Sequence, residues 1–188
     1  MKALKNNISK FKFLMAILLS MFYARSFSQT EIYRTNNGLL KVSTDLNKQS
    51  LVVSSKKLII MLDYETGNFT MKQELSELIT DNDSVQDMLT KLPQKFIVIK
   101  GKLDIDYVNT IQHAPIDFKV EGTILPANRQ IIGSGNLVHM VEGSSAACLL
   151  SLSFTLESDD FFDREISFPL DGKIYVNVLQ TLMARVND

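Results

Sequence analysis

Apolar residues recur at every second position along much of this chain, and that spacing limits its fold more than any other feature. From Ile116 to Leu125, Ile116, Phe118, Val120, Gly122 and Ile124 fall on one side, and Asp117, Lys119, Glu121 and Thr123 on the other. Cys148, Leu150, Leu152, Phe154 and Leu156 alternate in the same way with Leu149, Ser151, Ser153 and Thr155. Ile174, Val176 and Val178 alternate with Tyr175, Asn177 and Leu179. A period of two is that of a strand, whose successive side chains point to opposite faces. Clean alternation implies antiparallel strands with one face buried and one in water, because parallel strands covered on both faces read as unbroken apolar runs.

Shorter stretches complete the set: Leu39 to Ser43, Leu51 to Ser55, Lys57 to Asp63, Asn68 to Leu75, Lys95 to Asp104 and Gln130 to Val141. Glu65-Thr66-Gly67-Asn68 reads as a hairpin turn, with Gly67 where a positive φ is wanted. Gly101, Gly122, Gly133 and Gly135 lie inside strand patterns, where glycine marks a bulge or bend that lets a sheet curl. One helix interrupts the series. Asp83-Ser84-Val85-Gln86 has the spacing of a capping box, with Asp83 as the cap and Gln86 reaching back. Val85, Met88, Leu89 and Leu92 then share a face, and Pro93 marks the end. The expectation is a mainly β fold: an antiparallel barrel of eight or nine strands with one short helix, since closure removes exposed edges.

The first 28 residues read as a different kind of segment. Lys2, Lys5, Lys10 and Lys12 form a basic start, no acidic residue precedes Glu31, and an apolar run follows from Phe13 to Ala24. That run is shorter than the roughly 20 residues a membrane-spanning helix needs. It fits the apolar region of a secretory signal peptide, with Ser26 and Ser28 placed for cleavage before Gln29. The expectation is therefore an exported protein, periplasmic or secreted, with no stable membrane insertion and a single domain over residues 29–188. Removing the leader takes five basic residues and leaves 15 against 21 acidic, a net charge of −6 instead of −1. An acidic surface argues against nucleic acid as a partner, which calls for a basic patch. Cys148 is the only cysteine, so stability must come from packing without disulfides.

With the strands placed, the second half resembles the YceI-like family of exported lipid-binding barrels. Asp117-Phe118-Lys119-Val120-Glu121-Gly122 is similar to that family's phenylalanine-containing strand. Gly133-Ser134-Gly135-Asn136-Leu137 through Glu142-Gly143 is similar to its G-x-L-x-x-x-G strand, and Leu150-Ser151-Leu152-Ser153-Phe154 to the strand after it. Asp171 to Val178 sits where such proteins return to close the barrel. The first half departs from the pattern: Val85 and Gln86 replace the family's Arg-Asp, and Met88 replaces its His. The resemblance implies an elongated, lipocalin-like, eight-stranded barrel holding a polyisoprenoid or other long-chain lipid, without catalysis and without a cofactor.

Phe118, Val120, Ile124, Leu150, Leu152, Phe154, Val176 and Val178 are the candidate ligand wall, and an ordinary packed core is the competing reading of each. Met61, Met71, Met88 and Met140 are candidates for an adaptable lining. His113 and His139 lack neighbours at metal-ligand spacing, and Ser158-Asp159-Asp160 with Asp163 lacks the spacing of a calcium loop, so no metal site is expected. Ser144 and Ser145 sit in no nucleophile elbow. Cys148 alternates with aliphatics and reads as a buried hydrophobe. The alternative function is a structural or protein-interaction module of the cell envelope with a packed barrel, to which outward Tyr33, Tyr64, Tyr107, Phe161 and Phe162 would contribute. Whether two copies pair as a homodimer is left open by the sequence.

Overall fold

Nine strands form one sheet, and eight of them close on themselves. The computed structural model describes residues 31–46, 48–105, 114–142, 145–157 and 170–186. The strands are β1 (Ile32–Leu46), β2 (Gln49–Asp63), β3 (Asn68–Glu74), β4 (Ile79–Thr80), β5 (Phe96–Leu103), β6 (Ile116–Leu125), β7 (Arg129–Glu142), β8 (Ser145–Glu157) and β9 (Leu170–Arg185). Their order is β1-β9-β8-β7-β6-β5-β3-β2, and β2 pairs back onto β1, so the sheet is a closed antiparallel barrel. The two-residue β4 is an extra strand on the side of β2. Helix α1 (Asp83–Lys91) is the one α-helix among the described residues, and it falls between β4 and β5 as the sequence indicates. The leader expected over residues 1–28 lies outside the described residues.

Several strands are longer than the alternation alone suggests. Leu51 to Ser55 and Lys57 to Asp63 are halves of one 15-residue strand, β2, and β1 extends the short Leu39 to Ser43 stretch back to Ile32. At about 3.3 Å per residue these strands run roughly 50 Å, and they stay wrapped around a barrel because bulges break their register, among them a shift in the β1–β9 pairing between Ser43 and Asp45. The β1–β2 pairing shifts between Thr35 and Gly38 and again between Gly38 and Leu40, and the β8–β9 pairing shifts between Leu150 and Leu152. Each extra residue bends its strand and increases its twist. Thr181 ties this belt together: its Oγ1 accepts from the Leu39 N–H at 3.1 Å and donates to the Leu179 carbonyl at 3.2 Å.

The glycines inside β5, β6 and β7 serve a different purpose from the one their positions suggest. The ladders β5–β6, β6–β7 and β7–β8 run through Gly101, Gly122, Gly133 and Gly135 without a register shift, so none of the four marks a bulge. Two of them, Gly101 and Gly135, make room for inward aromatic rings. A Cβ on Gly135 would lie 2.5 Å from the Phe118 ring, and one on Gly101 would lie 2.7 Å from the ring of Phe69. Each phenylalanine lies over backbone where a side chain would otherwise stand. At Gly67 the reason is conformational: φ is 69° in the β2–β3 turn, closed by its N–H donating to the Asp63 carbonyl at 2.9 Å.

The helix is capped one residue earlier than its sequence suggests. Asn82, not Asp83, is the cap, its side-chain oxygen accepting from the Val85 N–H at 3.1 Å. Gln86 reaches past the cap, its Oε1 accepting from the Thr80 N–H and its Nε2 donating to the Leu78 carbonyl, both at 3.0 Å. These bonds fasten the helix to the segment that precedes it. That segment matters because β2 pairs with β3 only from Ile59 to Leu62, while its first half meets β4 at Val53 and Ser54. The stretch from Leu75 to Leu92 therefore closes a seam in the wall, with Leu75, Leu78, Val85 and Leu89 buried into the core.

The close fit of Phe118 over Gly135 yields a prediction. Gly135→Ala should destabilise the domain by about 1–3 kcal/mol, the usual cost of overpacking, measured as a lowered urea midpoint. Phe118→Leu in the same chain should recover part of that loss. Strictly additive effects of the two substitutions would contradict the packing account.

Candidate functional site

The barrel interior is built from the inward positions of eight strands, and it is chemically graded along its length. The middle is aliphatic and aromatic: Ile60, Phe69, Met71, Ile99, Phe118, Val120, Leu137, Leu150, Leu152, Phe154, Val176 and Val178 are all buried. Fully burying one such side chain is worth roughly 1.5–3 kcal/mol, so this layer is the main source of stability as well as the candidate ligand wall. All eight residues singled out in the sequence point inward. Each of the eight is 5 % exposed or less and packs within one core cluster.

One end of the interior is polar. Tyr33 and Tyr64 are both 0 % exposed, and their rings stack with centroids 4.0 Å apart and planes inclined by 19°. His139, inward on β7, lies 6.0 Å from the Tyr33 ring and 5.9 Å from that of Tyr64. Cys148 stands opposite His139 on β8, and Met183 opposite Cys148 on β9. At the rim, Arg185 pairs with Glu31 at 3.6 Å. Neither tyrosine hydroxyl has a hydrogen-bond partner; the Cys148 thiol faces Tyr64 without the geometry of a formed bond. Burial, then the neighbouring Cys148 and Glu31, push the Tyr33 phenol up to about 12. Burial and Cys148 hold Tyr64 well above the ordinary phenol range, and burial raises the Cys148 thiol to about 12. All three groups are neutral at physiological pH.

The helix end is apolar and less tightly closed. Val42, Leu46, Met88, Leu92 and Ile97 are partly buried side chains packed against the core, contributed by β1, α1 and its flank, and the start of β5. They gather where the seam between β2 and β3 is covered by the helix. Gln73, inward on β3, is buried there with its Oε1 unpartnered and its Nε2 donating to the Glu74 carbonyl at 2.8 Å.

Several expectations from sequence need correction. Tyr33 and Tyr64 face inward, not outward, because a bulge in β1 reverses the phase before Leu40 and because Tyr64 continues the inward series of Leu58, Ile60 and Leu62. Met61 and Met140 are exposed on the outer face and line nothing inside; Met71 is buried and Met88 half-buried. His139 is an inward strand residue of β7 and a member of the aromatic cluster. His113, Tyr107, Ser144, Phe161, Phe162 and the acidic stretch with Asp159, Asp160 and Asp163 lie outside the described residues. Among the described residues no three His, Cys, Asp or Glu side chains gather as a metal site, and no helix is long and apolar enough to cross a membrane.

No family model matches this sequence, and no curated protein does. By structure the chain is similar to a polyisoprenoid binding domain from Saccharophagus degradans implicated in plant cell wall breakdown, with a TM-score of 0.64. The match covers 85 % of this chain and 100 % of that one, at 8 % sequence identity. The two chains share a fold. The YceI-like resemblance read from β6 to β9 is thus supported at the level of architecture, and the neighbour is a binding domain. A concavity is cut into the barrel wall. It is a groove of about 700 Å³ over β6 to β9 and β1, bordered by Asp117, Ser134, Asn136, Ser153 and Asn177 and also by Phe118, Leu152 and Val178 of the candidate ligand wall.

The buried neutral acids set the alkaline behaviour of the domain. In the unfolded chain Cys148 and Tyr33 lose their protons near 9 and 10, but in the fold they keep them to about 12. Between those limits the unfolded state binds fewer protons than the native one, so stability falls as pH rises. Urea midpoints should be flat up to about pH 9 and decline from there towards pH 12. Cys148→Ala should shallow the decline, and an unchanged slope would contradict the buried-thiol account.

Proposed function

We propose that the protein binds an apolar, lipid-like molecule of the polyisoprenoid type inside its barrel and performs no chemistry on it. The observation that carries this reading is the closed barrel with a continuous apolar interior, in an architecture shared with a polyisoprenoid binding domain. An eight-stranded barrel is the size at which an interior either fills with side chains or holds one small ligand. The inward residues Phe118, Val120, Ile124, Leu150, Leu152, Phe154, Val176 and Val178 would line the bound chain. At roughly 25 cal/mol per Å² of apolar surface, several hundred Å² of chain supplies the driving force without polar contacts. The chain enters beside α1, where Val42, Met88, Leu92 and Ile97 are partly exposed, and the packed side chains shift to admit it. The leader over residues 1–28 fits this role: it sends the carrier to an aqueous compartment outside the cytoplasm, periplasmic or extracellular.

A second reading, a protein-interaction module of the cell envelope, is favoured by one observation. The outer face of β7 to β9 carries few charges: Val138, Leu149 and Leu182 form a cross-strand row beside Ser151, Ser153, Asn136 and Asn177. Depletion of charge is what distinguishes the centre of a protein interface from the rest of a surface.

Mass spectrometry of an organic extract of the mature protein, purified from its own envelope, separates the two. Binding predicts a stoichiometric long-chain lipid; a lipid-free extract, together with no uptake of an apolar fluorophore, would overturn it. Met88→Lys should weaken fluorophore uptake about tenfold while shifting the melting temperature by only a few degrees. Capture of a protein that is lost with Leu182→Asp would support the interaction module.

A further inference from the structure

The two tyrosines at the polar end of the barrel are not explained by stability. A buried hydroxyl without a partner costs about 1–3 kcal/mol, and replacing it by an apolar group of the same shape is neutral or favourable. Phenylalanine at either position would keep the 4.0 Å ring stack and discard that cost. Both hydroxyls are unpartnered and both residues are 0 % exposed, so neither bulk solvent nor the fold satisfies them. They also sit together, at one end of an otherwise apolar interior, beside His139 and Cys148.

The charge of this end is as informative as its polarity. Glu31 and Arg185 form a pair at the rim, so the cation nearest the tyrosines is already matched by a carboxylate. An anionic group placed against Tyr33 and Tyr64 would lose its water and gain no counter-charge, which is costly in a buried site. What the end offers is two neutral O–H donors held side by side.

We propose that Tyr33 and Tyr64 form the seat for the head of the bound lipid, and that this head is a neutral oxygen acceptor, the hydroxyl or carbonyl of a long-chain alcohol or ketone, rather than a phosphate. The proposal rests on the binding reading above and adds to it an orientation and a head-group class. The apolar tail runs toward the helix end, and the head accepts hydrogen bonds from the phenols. Met183, unbranched and opposite Cys148, is the side chain in this layer that yields to make room.

The test is displacement of a barrel-bound apolar fluorophore from the mature protein by four probes of equal chain length: an alkane, a primary alcohol, a methyl ketone and an alkyl phosphate. The alcohol and ketone are expected to bind about tenfold more tightly than the alkane, and the phosphate no more tightly than the alkane. In the double variant Tyr33→Phe, Tyr64→Phe the alcohol-to-alkane ratio should fall to about one, with a melting temperature equal to or above that of the parent. Tyr175→Phe, on the outer face, should leave the ratio unchanged. A preference that survives the double variant, or a phosphate that binds best, overturns the proposal while leaving the binding reading intact. Failure of the fluorophore and every probe to bind overturns both.

Discussion

Closure of the sheet between β1 and β2 is the constraint on which the rest of the structure depends. Once those strands pair along Ile32 to Leu46, the one incompletely paired edge left in the wall is the first half of β2, which β4 and the strip behind it cover, and one face of every strand is committed to a shared interior. The alternation in β6, β8 and β9 is the local expression of that commitment. Closure also explains why bulges and ring-over-glycine contacts are needed. Strands of 15 or 16 residues coil around a narrow interior only if their register is broken, and bulky rings fit across it only where the facing wall lacks side chains.

Much of this was legible in the sequence, and what was not has a common cause. Where a strand keeps one phase throughout, as from Phe118 to Ile124 or Cys148 to Leu156, the inward residues can be read directly. Where a bulge intervenes, the phase flips. Leu51, Val53 and Ser55 are inward, but so are Leu58, Ile60 and Leu62, an odd number of residues on. Val176 and Val178 give way to Thr181 and Met183 in the same manner, and Leu40 is seven residues from Tyr33. A strict period of two breaks β2 into two strands at this point and turns Tyr33 outward. Asn36-Asn37 and Lys56-Lys57, polar pairs inside strand patterns, were the available signals of the β1 and β2 bulges. The β9 bulge, at Leu179-Gln180 with φ of 27° at Gln180, had a weaker one.

The helix cap shows a second limit of sequence. Asn82 and Asp83 are both good caps, and the choice between them goes with the partners Gln86 finds in the segment just before the box. Gln86 is drawn back to Thr80 and Leu78 because these belong to the strip that covers the seam beside β2. Bonds to that strip fix where the helix begins.

The packed state of the described interior bears on how such a barrel would bind. A ligand that must first displace side chains is bound by the minor fraction of molecules in which they have moved, so its apparent affinity is lowered by that fraction. The gain from a long apolar chain grows with every methylene buried, at about 0.8 kcal/mol each, whereas the opening cost is met once. Short apolar molecules would then bind poorly and long ones well, which makes chain length a selectivity device in its own right. A polar end adds a second selection of a different kind. Unpartnered phenols inside an apolar barrel penalise the empty state, so the same hydroxyls that cost stability without ligand would favour a ligand able to satisfy them. Length would be read by the apolar wall and head chemistry by the polar end. The two selections act on opposite ends of one molecule, so they would combine without interfering.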